Sequence, residues 1–137
     1  MDQRMMRYLI DTNILIYYFA DTIPQKEISA VEEIFKTSFN ISIITKIEFL
    51  GWGKHTKEGY EKARQFMEYA KTIQLNNKIA ELSIDLKRNG KIKLPDAVIA
   101  ATAIYKDLIL VTRNFRDFND VENLEIYNPY QTADRNI

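Results

Sequence analysis

Residues 6–10, MRYLI, form an apolar run that stops abruptly at Asp11, Thr12 and Asn13. A short apolar run closed by turn-forming residues reads as a buried strand that delivers the chain into a loop. ILIYYFA follows as a short apolar helix. Pro24 suits the first turn of a second helix, reaching residue 37, with Ile28, Val31 and Phe35 on one face. FNISII, residues 39–44, alternates and is rich in β-branched side chains, which predicts a second strand. It leads into a helix over 45–52 that carries Glu48. The polar GKHTKEG is a loop, and Tyr60, Ala63, Phe66 or Met67, and Ala70 then recur at helical spacing.

TIQL supplies a third strand, followed by a helix over 78–88 with Ile79, Leu82 and Leu86 inward. A basic loop, KRNGKIK, precedes KLPDAVIAATA, residues 93–103, which opens an apolar helix over 95–105. LILVT, residues 108–112, is the clearest strand, and LEIYN is a last one. Strands alternating with helices predict an α/β domain whose mostly parallel sheet is covered on both faces. Ligand sites in such sheets lie beyond the carboxyl ends of the strands. At 137 residues the chain is expected to be one domain, 1–137, and it holds no internal repeat.

Composition narrows the chemistry. Nineteen basic and nineteen acidic side chains cancel, so any affinity for nucleic acid must come from a local patch. There is no cysteine, which excludes disulfides, thiolate catalysis and Cys-based zinc sites. The apolar part of the N-terminus is cut by Asp11, Thr12 and Asn13, unlike a signal peptide, and no run approaches the roughly 18 apolar residues of a membrane span. The expectation is a soluble cytoplasmic protein.

Four carboxylates fall where the topology puts ligands. Asp11 follows the first strand, Glu48 lies one turn into the helix after the second, Asp96 opens the helix before LILVT, and Asp117 follows that strand in VTRNFRDF. Each alone has a plain structural account. Asp11 is a turn former and Glu48 a solvated helix position. Asp96 suits the positive end of a helix dipole behind Pro95, and Asp117 caps a turn. Gathered in one concavity, however, they would repel one another unless a cation neutralised them. The fitting occupant is Mg²⁺ or Mn²⁺, a hard ion that takes oxygen ligands and activates water against a phosphodiester. Asn13, Thr112 and Asn114 stand beside the acids and can orient them.

The stretches LIDTNILI, TKIEFLGW, KLPDAVIAATA and LVTRNFRDF resemble, in order and spacing, the four acidic motifs of PIN-domain ribonucleases, specifically the VapC-like toxins of type II toxin–antitoxin systems. The resemblance covers residues 8–118. It implies a Rossmann-like α/β/α sandwich with a five-stranded parallel sheet, a Mg²⁺- or Mn²⁺-dependent endoribonuclease acting on RNA, a homodimer, and a VapB-like antitoxin that inserts a segment near the active site. Asp11, Glu48 and Asp96 match three family acids. At the fourth position the family places an acid or asparagine just after the threonine, here Asn114, and often another aspartate three residues on, here Asp117; either one completes the metal site.

On this reading Lys93, Arg113 and Arg116 are candidates to hold RNA phosphates, with Lys87, Arg88, Lys91, Lys54, His55 and Lys57 further out. His55, in a polar loop, is expected to be solvated rather than catalytic. Tyr17, Tyr18, Phe19, Phe49 and Trp52 are expected mainly in the core, with a partner or dimer surface as the other use. Two other functions compete. A phosphotransfer domain would want paired aspartates after the first strand or a lysine after a late one, and neither is present. A non-catalytic binding module would not need four acids.

Overall fold

The computed structural model describes residues 7–130; Met6, at the start of the first expected strand, lies outside them. The elements are β1 (Tyr8–Ile10), α1 (Thr12–Phe19), α2 (Gln25–Thr37), β2 (Asn40–Ser42), α3 (Ile43–Leu50) and α4 (Lys57–Met67). They continue as β3 (Lys71–Ile73), α5 (Asn77–Arg88), α6 (Leu94–Lys106), β4 (Ile109–Val111), α7 (Phe115–Phe118) and β5 (Ile126–Tyr127). The five strands are all parallel, in the order β3-β2-β1-β4-β5. The chain therefore builds outward from β1 in one direction and then, through β4, in the other. The reversal falls between β1 and β4, where a crevice opens at the carboxyl edge of such sheets.

Successive strand residues point to opposite faces, and each face has its own core. Ile10, Ile41 and Val111 join Ile14, Leu15, Val31 and Phe49 under α1 to α4, whereas Leu9 and Leu110 join Ile79, Val98 and Ile99 under α5 and α6. This gives a three-layer α/β/α sandwich, as expected. Every residue of α6 from Ala97 to Ala103 is buried. That explains its composition: four alanines let α6 lie close to both the sheet and α5, and Thr102 satisfies its hydroxyl on Val98 O at 2.7 Å.

The boundaries differ from the sequence expectation wherever a polar side chain caps a helix. The second strand ends at Ser42, two residues early, because the Ser42 hydroxyl accepts from Ile44 N at 3.0 Å and starts α3. The Thr56 hydroxyl accepts from Gly59 N, so α4 begins inside the expected loop. The short helix α7 was not expected at all. His55 is not a solvated loop residue: its Nε2 lies 2.7 Å from Phe49 O, and its ring meets Phe49, Trp52 and Tyr60 edge-on. Tyr17, Tyr18 and Phe19 are partly buried against the core and Phe49 is wholly buried.

Candidate acidic active site

Asp11 lies at the reversal point. Its backbone N–H donates to Val111 O at 2.9 Å, which locks the end of β1 to the end of β4. Its side chain caps α1, with Oδ1 accepting from Thr12 N at 2.8 Å and Oδ2 accepting from the Thr112 hydroxyl at 2.7 Å. Only 4% of Asp11 is exposed. Burial, countered in part by these two bonds and reinforced by the charges of Asp96 and Glu48, raises its pKa from 3.8 to about 7. Each oxygen spends one lone pair on its hydrogen bond and keeps another for a cation.

Glu48 enters from α3, where Ser42 fixes the start of the helix and Thr45 and Glu48 share a face at three-residue spacing. Thr12 Oγ1 lies 2.7 Å from Glu48 Oε1 and 3.0 Å from Thr45 Oγ1. A hydroxyl has one proton and an ionised carboxylate only accepts, so Thr12 donates to Glu48 and receives from Thr45. The first turn of α1 thus aims two acids at once: Asp11 through its backbone, Glu48 through its hydroxyl. Sequence reasoning missed Thr12 and Thr45. Their signal was available, since each sits within four residues of a candidate acid, but hydroxyls in those places also serve as ordinary caps.

Asp96 occupies the first turn of α6, with Lys93 as the capping residue and Leu94 and Pro95 ahead of it. It is half-buried, and its pKa is raised to about 6, first by burial, then by the charges of Asp117 and Glu48, with Lys93 opposing. Asp96 and Asp117 line one groove of about 900 Å³ together with Lys93 and Arg116. Four acids from four separated segments therefore share one electrostatic field. Among the described residues no three carboxylate or imidazole groups are drawn close enough to enclose an ion in this arrangement. The donor set is nonetheless all oxygen, mutually repelling, and open at Glu48 and Asp117, which fits Mg²⁺ or Mn²⁺.

The remaining candidates take varied positions. Thr112 is fully buried, and its Oγ1 also accepts from Asn114 N at 3.0 Å. Asn114 thus meets the site through its backbone, while Asp117 is the neighbour whose charge Asp96 feels. Asn13 Oδ1 is buried without a hydrogen-bond partner. Arg113 holds its guanidinium over Tyr130 at 4.6 Å and Tyr17 at 5.8 Å from the ring centroids. Lys93 and Arg116 are exposed at the groove, whereas Lys87 is drawn to Ile92 O at 2.9 Å and braces the loop before α6.

Fold and site together define an α/β/α sandwich with an acidic centre at the carboxyl edge of its sheet. The chain belongs to the PIN-domain family, whose model matches residues 8–124. Among solved structures it is similar to a toxin–antitoxin complex from Klebsiella pneumoniae, with 34% identity, a TM-score of 0.75, and 90% of this chain and 98% of that one covered. VapBC2 from Rickettsia felis, bound to a DNA fragment from its promoter, aligns at 25% identity and a TM-score of 0.76, covering 90% and 98%. DNA-bound VapBC from Salmonella typhimurium shares the fold at 21% identity and a TM-score of 0.77, covering 91% and 99%. No curated protein matches the chain. Among the described residues no helix is long and apolar enough to cross a membrane.

Proposed function

We propose that this chain is the toxin of a type II, VapBC-like toxin–antitoxin system and acts as a Mg²⁺- or Mn²⁺-dependent endoribonuclease. The observation that carries the reading is the electrostatic coupling of Asp11, Glu48, Asp96 and Asp117 at the reversal point of the sheet. Such an arrangement costs stability unless it serves a cation, and stored repulsion of this kind belongs to functional sites. The PIN-domain family and the likeness to toxin–antitoxin complexes support the same reading.

Asp11, Glu48, Asp96 and Asp117 would hold the cation, which when bound supplies charge neutralisation for the phosphodiester and a more acidic water. Thr112 fixes Asp11 and Thr12 fixes Glu48, so neither acid has to be reoriented. Asp117, exposed and coupled to Asp96, would complete the ligand set. Lys93 and Arg116, with Arg113, hold the RNA phosphates. Water adds to phosphorus and gives up a proton to solvent, one P–O bond breaks, and the leaving oxygen takes a proton from solvent. A VapB-like antitoxin would be the protein partner, the toxin would act as a homodimer, and the setting would be the cytoplasm.

The test is cleavage of an RNA pool by purified protein in Mg²⁺, in Mn²⁺ and in EDTA, beside Asp96→Asn prepared identically. Cleavage that requires the metal and is lost in the variant is the expected result. Equal cutting by both proteins, or none by wild type freed of antitoxin, would sink the proposal and favour a non-catalytic binding module.

A further inference from the structure

The groove that begins at Asp96 and Asp117 extends between α5 and the loop after α7, and cleavage itself does not need its far part. Its volume of about 900 Å³ lies within the roughly 300–1,000 Å³ of small-molecule sites. The chemistry changes along it. Lys93 lies three residues before Asp96 and Arg116 directly beside Asp117, so positive charge stands at the acidic end. The lining of Leu82, Leu86, Ile104 and Val121 is apolar. The loop after α7 contributes Asp120 and Glu122, both exposed, and Asn123, held in the left-handed region at φ 67°. That loop offers hydrogen-bond acceptors and negative charge, while Lys91 and Asp85 from the α5 side also line the groove.

Resting on the nuclease reading, we propose that this groove receives the nucleobase flanking the scissile phosphate and selects guanine. The ligand must place an anion at Lys93 and Arg116, a flat apolar face on the aliphatic lining, and N–H donors toward Asp120 and Glu122. A second phosphate would be repelled by the two carboxylates, and a cationic peptide by the entrance. A nucleotide whose base turns inward meets all three requirements. Guanine alone presents two parallel donors, N1–H and the N2 amino group, to a single carboxylate. Uracil offers one donor, and the amino groups of cytosine and adenine flank acceptors that a carboxylate repels.

The test is wild-type cleavage of a randomised single-stranded RNA pool in Mg²⁺ or Mn²⁺, read at the cut junctions. A defined oligonucleotide then follows in which the flanking guanosine is replaced by inosine, which lacks the N2 amino group. Guanosine should be enriched on one side of the cut, and inosine should lower kcat/KM about fivefold, since a hydrogen bond to a charged, solvent-exposed group is being removed. The double variant Asp120→Asn, Glu122→Gln should bring the two substrates to within about twofold of each other. An even base distribution, uridine enrichment, or a guanosine-to-inosine ratio unchanged in the double variant would overturn the inference while leaving the nuclease intact. A changed affinity for an arginine-rich peptide with an unchanged ratio would assign the groove to a protein partner instead. Absence of metal-dependent cleavage by wild type would remove the nuclease reading and this inference with it.

Discussion

Asp11→Asn is expected to stabilise the metal-free protein at alkaline pH and to destabilise it slightly at acid pH. The wild-type carboxyl is raised from 3.8 to about 7 in the folded chain. A raised carboxylate binds its proton more tightly folded than unfolded, so the folded state gains stability as pH falls from about 7 to about 4. It carries the full penalty above about 7. The span corresponds to a ceiling of about 4 kcal/mol. The asparagine keeps an oxygen for Thr12 N but turns an N–H₂ toward the Thr112 hydroxyl, which loses its acceptor at a cost of about 1–2 kcal/mol. The net gain at pH 8 is therefore about 2 kcal/mol, or about 6 °C in Tm for a chain of this size. Thermal unfolding in EDTA at pH 8 and pH 5 measures it. The variant should melt higher at pH 8 and close to wild type at pH 5, and Mg²⁺ at pH 8 should raise Tm for wild type much more than for the variant. A variant less stable than wild type at pH 8, or a difference independent of pH, would refute the reasoning.

Thr112→Val removes the donor that lowers the Asp11 pKa, so Asp11 should ionise only at higher pH. On the nuclease reading its activity falls about tenfold and the rising limb of the pH–rate profile moves to higher pH; an unmoved limb would assign Thr112 to packing alone. Glu27 is 3% exposed, and neither of its carboxylate oxygens has a hydrogen-bond partner. Glu27→Met should therefore raise stability by about 1 kcal/mol or more in urea unfolding, and a loss would reveal a bonded role for this carboxylate.

Much of the candidate site was legible along the chain because Asp11 sits at a strand-to-helix junction and Asp96 at the start of an apolar helix, where polar residues stand out. Asp11 after MRYLI and Asp96 within an apolar helix are conspicuous for that reason. Thr12 and Thr45 were not, since a hydroxyl near a helix start has an ordinary capping use and only the crossing of α1 and α3 directs Thr12 at Glu48. Arg113 reads as a free cation in sequence, yet Tyr17 and Tyr130, far along the chain on either side, receive it. His55 follows the same rule: besides Trp52 of its own loop, Phe49 of α3 and Tyr60 of α4 meet its ring.

The order of the strands and of the longer helices, the two-sided core and the choice of four candidate acids came from the sequence itself. Side-chain periods of two and 3.6 residues and short-range capping are local properties. Only the tertiary structure decided which acid is buried and which are open, and that Asp11 and Thr112, 101 residues apart, share a hydrogen bond across β1 and β4. The pKa values follow from that choice. Desolvation and charge repulsion depend on distance and exposure in three dimensions, and neither has any period along the chain.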